Sequence, residues 1–180
     1  MKNKTLRALC EGAVMVAMAQ VLGYLKLYEL PQGGSITLSM LPIMIYCNRY
    51  GLKYGLMSGF SLGILQLVLD GAYTWGWQSV IFDYIRAYGL LGVAGAFYKQ
   101  KKGIYTGTLT GCLLRYISHI ISGYFFVSTM TSFDIAGIHT SSPWIYSIIY
   151  NGLYMIPDTI LVLIICALLN KTLKRYKPVN

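Results

Sequence analysis

Charge is what this chain has least of. Charged residues make up 12% of its 180 positions, about half the share of a soluble domain. With 56% hydrophobic residues, that shortage excludes an ordinary water-soluble globule. Acids are scarcest. Glu11, Glu29, Asp70, Asp83, Asp134 and Asp158 face 15 Lys and Arg, for a net charge of +9. Cys10, Cys47, Cys112 and Cys166 are far apart with no C-x-x-C pair, which argues against a zinc site or a disulfide framework. No G-x-x-x-x-G-K-S/T phosphate loop occurs, so the chain is not expected to be an enzyme that hydrolyses ATP. No cofactor, low-complexity segment or separate soluble domain is indicated.

What remains is long apolar stretches, at about 8–25, 36–48, 52–69, 76–97, 104–127 and 144–169. A helix needs about 20 residues to cross the hydrocarbon core, and the second stretch is short and carries Pro42. Flanking charge argues for keeping it. Lys2, Lys4 and Arg7 precede the first stretch, Arg49 and Lys53 follow the second, Lys99, Lys101 and Lys102 follow the fourth, and Lys171, Lys174, Arg175 and Lys177 follow the sixth. The opposite loops hold Lys26 alone of the basic residues, with Glu29, Asp70 and Asp134. The positive-inside rule then predicts an all-α polytopic protein, residues 1–180 forming one integral-membrane domain of six transmembrane helices with both termini cytoplasmic. The basic charge reads as topology and as contact with anionic lipid, not as a nucleic-acid footprint. A cleaved signal ending near Ala17-Met18-Ala19 is disfavoured, because Glu11 interrupts the apolar run and the run continues through Val21, Leu22 and Leu25.

Glycine recurs at four-residue spacing in Gly51, Gly55, Gly59 and Gly63, and again in Gly103, Gly107 and Gly111, with Gly89, Gly92 and Gly95 similar. Such stripes let helices approach closely, either within the bundle or against a partner.

Three polar side chains interrupt three different stretches. Counted from the same face, Asp83 lies about 10 Å deep, and His119 and Asn151 about 12 Å. An ionisable group in hydrocarbon marks a functional site by default, so three at one level predict a pocket open to the outside. Aromatic residues crowd that side: Tyr73, Trp75 and Trp77 before the fourth helix, Tyr84 beside Asp83, and Tyr124, Trp144, Tyr146, Tyr150 and Tyr154 around the other two. Interfacial anchoring accounts for the tryptophans without any ligand. A carboxylate, aromatic faces, an amide and an imidazole together suit a small, flat, nitrogen-rich cation. Two readings stay open here. Arg86 sits where it can pair with Asp83 and occupy the carboxylate. Arg115 is free either to reach an anionic group or to satisfy helix carbonyls. Asp158, beside Pro157, reads as a local kink or an internal pair. An intramembrane enzyme using Asp83 and His119 as acid and base lacks any accompanying catalytic motif.

Several separated motifs carry a family resemblance over nearly the whole length. They are Pro31-Gln32-Gly33-Gly34-Ser35, Asp83-Tyr84, Leu114-Arg115-Tyr116, His119-Ile120-Ile121-Ser122-Gly123, Trp144-Ile145-Tyr146-Ser147, Tyr150-Asn151 and Tyr154-Met155. With these the chain resembles the thiamine-specific S components (ThiT/YuaJ type) of energy-coupling factor (ECF) vitamin transporters. The resemblance implies the six-helix S-component fold in the cell membrane, with thiamine bound near the outer surface under the loop joining the first two helices. It implies contacts from Asp83, Tyr84, His119, Tyr146, Asn151 and Tyr73, with Arg115, Tyr150 and Trp144 as further candidates. It also implies that Ala13 and Ala17 dock on a transmembrane coupling subunit (T component), which works with two ATPase subunits. Some relatives carry glutamate at Asp83 and tryptophan at Val127 and Gly33. An S component or solitary facilitator for another small heterocyclic vitamin is the alternative.

Overall fold

The computed structural model describes residues 2–69, 76–128, 133–135, 137–169 and 172. They form a mostly helical bundle. Helix α1 runs Lys2–Tyr24, α2 Met40–Leu69, α5 Gly103–Val127 and α6 Pro143–Leu168. The stretch Trp77–Phe97 is not one regular helix. It passes from α3 (Trp77–Ser79) through wide π-type turns at Val80–Arg86 into α4 (Ala87–Leu91), then tightens to 3-10 geometry over Gly92–Phe97.

The second and third predicted stretches are the two limbs of α2, parted by a break at Gly51, and helix starts at Met40 rather than at 36. Ile36 instead belongs to a strand, β2 (Ser35–Ile36), paired antiparallel with β1 (Tyr28–Glu29). A second antiparallel hairpin joins β3 (Phe133–Ile135) to β4 (Ile138–Thr140). An all-α description therefore misses two small hairpins in the connecting segments.

A straight helix as long as α2 would separate its ends by about 45 Å. Here Ser39, just before it, and Gln66, near its end, both lie against Gly23 of α1. The chain turns back at Gly51, whose φ of 80° and ψ of −170° break the helix. Only glycine adopts that region at little cost. At the fold, the Tyr46 hydroxyl donates to the Ala8 carbonyl at 2.7 Å, fixing the turn against the start of α1.

The glycine stripes are internal. A Cβ at Gly55 would lie 2.7 Å from the Gly92 carbonyl oxygen, one at Gly63 would lie 2.6 Å from that of Tyr84, and one at Gly59 would collide with that of Tyr88. On the other side, a Cβ at Gly107 would lie 2.6 Å from the Ala94 carbonyl oxygen and one at Gly111 3.0 Å from that of Leu91. The segment 84–97 is thus pressed between α2 and α5, backbone to backbone. Around it packs a core of Met40, Ile43, Met44, Leu62, Leu91 and Met155.

Asn3–Tyr24, Met40–Leu69, Trp77–Phe97 and Pro143–Leu168 are long and apolar enough to cross a membrane. Helix α5 is more polar, because it carries Arg115, Ser118, His119 and Ser122, all buried. The chain's outer surface is apolar in the manner of a membrane protein, with Val14, Val21, Leu113, Ile148, Ile160 and Ile164 all exposed.

Gly92→Ala is expected to lower stability by about 1–3 kcal/mol, as overpacking does, because its Cβ would meet the Gly55 carbonyl group at 2.5 Å. Gly152→Ala serves as the control, since its Cβ would meet only the Tyr116 hydroxyl at 3.4 Å and Ile156 Cδ1 at 3.7 Å, both ordinary contacts. Thermal unfolding of both variants in detergent checks the difference.

Candidate functional site

One end of the bundle encloses a cavity of about 640 Å³, within the range of small-molecule sites. The last turn of α1, the approaches to both ends of α2, the π segment, the end of α5 and the start of α6 all face it. Asp83, Tyr84, His119, Tyr146 and Asn151 line it, as do Arg115 and Tyr150. The equal depths counted along the sequence thus correspond to shared walls. Tyr73 lies outside the described residues, as does Trp75. Trp144 does not line the cavity. It is 46% exposed and stacks on Tyr124 at 4.3 Å, as an interfacial anchor would.

Asp83 sits at the middle of the π-type turns, a geometry frequent at functional sites. A wide turn leaves backbone groups to be satisfied from outside, and Ser118 does so by donating its hydroxyl to the Phe82 carbonyl at 2.7 Å. The Asp83 carboxylate is held from both sides. Oδ1 lies 2.8 Å from His119 Nδ1, while Oδ2 accepts hydroxyls from Ser79 at 2.7 Å and Ser122 at 2.5 Å. Arg86 makes no ion pair with it. That guanidinium points outward over the Phe82 ring at 5.2 Å, so the carboxylate keeps its charge for the cavity, which it faces with its side chain 28% exposed.

Behind the carboxylate, Arg115 Nε donates to His119 Nε2 at 3.2 Å. Its guanidinium lies 4.3 Å over the Tyr88 ring, and Nη1 is buried without a hydrogen-bond partner. Asp158 is the one fully buried acid among the described residues, and its Oδ1 accepts the Thr37 backbone N–H at 3.3 Å. This is not a hydrolase arrangement. The imidazole is not interposed between a serine and the acid, and its second nitrogen is engaged by a donor.

Asn151 closes α6 onto α5. Its Nδ2 donates to the Ser147 carbonyl at 2.9 Å and the His119 carbonyl at 3.3 Å, and its Oδ1 accepts the Tyr154 hydroxyl at 2.7 Å. One lone pair of Oδ1 stays open. Tyr146 and Tyr150 stack with ring centroids 6.0 Å apart and planes within 4°. Tyr154 meets Tyr150 edge-on at 6.0 Å and the His119 ring at 6.1 Å.

The residues Gly33, Gly34 and Ser35 form part of the wall between β1 and β2. Tyr150 ties this loop to α6, its hydroxyl accepting the Gly34 N–H at 3.0 Å and donating to the Pro31 carbonyl at 2.5 Å. Only a small residue fits at Gly34, where a Cβ would lie 2.7 Å from the Tyr154 ring.

Residues 9–177 match the sequence profile of the thiamine transporter protein family (Thia_YuaJ). The chain belongs to this family. It is 33% identical to the thiamine transporter ThiT of Bacillus subtilis, over 97% of this chain and 95% of that one. It is 26% identical to the thiamine transporter ThiT of Lacticaseibacillus paracasei, over 93% and 89%. Among solved structures, ThiT from Listeria monocytogenes superposes with a TM-score of 0.83 at 25% identity, covering 96% of this chain and 98% of that one.

Within this member of the thiamine transporter family, sequence reasoning missed Ser79, Ser122 and Tyr88 as parts of the site, and named Tyr154 only among the surrounding aromatic residues. A spacing signal existed for the serines. Ser79 precedes Asp83 by one helical turn and Ser122 follows His119 by one, the separations at which helical neighbours meet. Val127 is buried against Tyr146 and lines the cavity.

Tyr150→Phe removes both hydrogen bonds that hold the loop, each worth about 1 kcal/mol. The Gly34 amide is then expected to exchange with deuterium about tenfold faster or more, with α5 amides unchanged. Hydrogen-exchange mass spectrometry of the loop peptide reads this directly.

Proposed function

We propose that this chain is the thiamine-binding subunit, or S component, of an ECF-type transporter in the cell membrane. One observation carries the reading most: a charged Asp83 carboxylate, fully hydrogen-bonded from behind, faces an aromatic-walled cavity at one end of a membrane bundle. A cationic thiazolium ring complements that carboxylate, and tyrosine faces attract the same cation. The open lone pair of Asn151 Oδ1 suits the exocyclic amine of the aminopyrimidine. Tyr84, Tyr146 and Tyr150 supply ring faces, and Tyr73 joins them from the loop before α3. The loop tied down by Tyr150 covers the site. Relatives that carry the name thiamine transporter support the choice of substrate over another heterocyclic vitamin.

In this reading the cavity faces outside. Lys and Arg flank the opposite ends of the apolar stretches, which places both termini in the cytoplasm across six crossings, α2 contributing two. The chain has no phosphate loop of its own, so transport is driven by partners, a T component and two ATPases. Ala13 and Ala17 are both exposed on α1, beside the face that packs on α2 through Ala8, Gly12, Val16 and Gly23. Small exposed residues one turn apart offer a helix of the T component a close approach.

Purified chain is expected to bind thiamine with quenching of tryptophan fluorescence. Asp83→Asn should weaken binding about 30-fold or more, the equivalent of about 2 kcal/mol for a desolvated charge pair. Unchanged affinity in that variant would falsify the cation-pairing role. Ala13→Leu with Ala17→Leu should leave thiamine binding intact and abolish copurification with a T component coexpressed with its ATPases.

A further inference from the structure

We propose that Arg115 is a positioning residue, which fixes the tautomer of His119 and so keeps the Asp83 carboxylate an acceptor. The guanidinium can only donate. Its Nε lies 3.2 Å from His119 Nε2, so that ring nitrogen presents its lone pair. The single ring proton then sits on Nδ1, 2.8 Å from Asp83 Oδ1, and is donated to it. The serine hydroxyls on Oδ2 are donors as well. Every hydrogen around this carboxylate comes from a neighbour, and the negative charge is left for the ligand.

Arg115 is itself held in one setting. It is 7% exposed and lies over the Tyr88 ring of α4. The groups facing His119 are few: Asp83 from the π segment, Arg115 and Ser122 on its own helix, and from α6 Tyr154 edge-on and Asn151 through the backbone carbonyl. Asp158 stands on α6 one turn beyond Tyr154, bonded to Thr37. A second ring proton at Nε2 would point an N–H at the N–H of a fixed cation. The imidazole therefore stays neutral and adds no positive charge beside the carboxylate.

Two measurements test this, and only the second rests on the thiamine reading. The chain has two histidines, so ¹⁵N NMR of ligand-free, histidine-labelled protein, with His139→Gln for assignment, reads the His119 tautomer. The expected form is neutral with the proton on Nδ1. A proton on Nε2 overturns the proposal whether or not thiamine binds. The second is thiamine affinity from about pH 7.5 to 5.5. Native chain and Arg115→Lys, which retains a donor-only group, are expected to stay flat. Arg115→Met has no donor, and the amide in Arg115→Gln can turn its oxygen to the ring, so both let His119 take a second proton. That proton adds positive charge beside a cation, so affinity falls with falling pH, by up to about tenfold for a group of ordinary histidine pKa. If all three variants lose affinity without any pH dependence, Arg115 touches the ligand directly through Nη1 and the positioning role is wrong.

Discussion

The close passage of segment 84–97 between two glycine stripes is the constraint on which the rest depends. Side chains on α2 and α5 would hold that segment off by several ångströms. With glycine facing its carbonyls on both sides, backbones meet directly, and van der Waals contact replaces the hydrophobic drive that lipid does not supply. The segment adapts to its neighbours: wide turns before Ala87, tight turns after Leu91. Asp83 stands where the wide turns are, so the geometry that packs the bundle also aims the carboxylate at His119 and the two serines.

The second theme is how a charged cluster survives inside an apolar body. An isolated ion in such a place is costly, and pairing with hydrogen bonds is the usual remedy. Here the remedy runs in a line, from Arg115 through a neutral imidazole to Asp83. The cation is buried on Tyr88 and the anion sits at the cavity wall. Charge is thus balanced internally, with the carboxylate and the buried guanidinium both in the lining of the same cavity.

Much of this was legible in the sequence. Apolar runs gave the helices, because lipid demands lengths that chance rarely produces. The matched depths of Asp83, His119 and Asn151 anticipated that one cavity would gather them, since depth along a helix follows from its rise. The stripes of Gly55, Gly59, Gly63, Gly107 and Gly111 anticipated close packing. Other features depend on contacts no local pattern records. The reversal at Gly51 takes one residue, so 36–48 and 52–69 are parted by a single glycine and by no loop that composition would mark. The π turns look like ordinary helix in sequence, because nothing in Val80–Arg86 marks a change of turn width. Whether Arg86 occupies the Asp83 carboxylate rested on rotation about the helix axis, which wide turns alter. Trp144 looked like a wall of the site by position, but its ring turns outward to Tyr124.

The tie between the loop joining β1 to β2 and helix α6 has a kinetic consequence. A single hydroxyl, that of Tyr150, both receives from Gly34 and gives to Pro31, and the ring that bears it forms part of the cavity wall. Residence time of anything enclosed there is then governed by how often two hydrogen bonds break together, a matter of dissociation rate more than of encounter. A ligand that presses on the Tyr146–Tyr150 pair sets its own escape rate, because the ring it touches carries the latch.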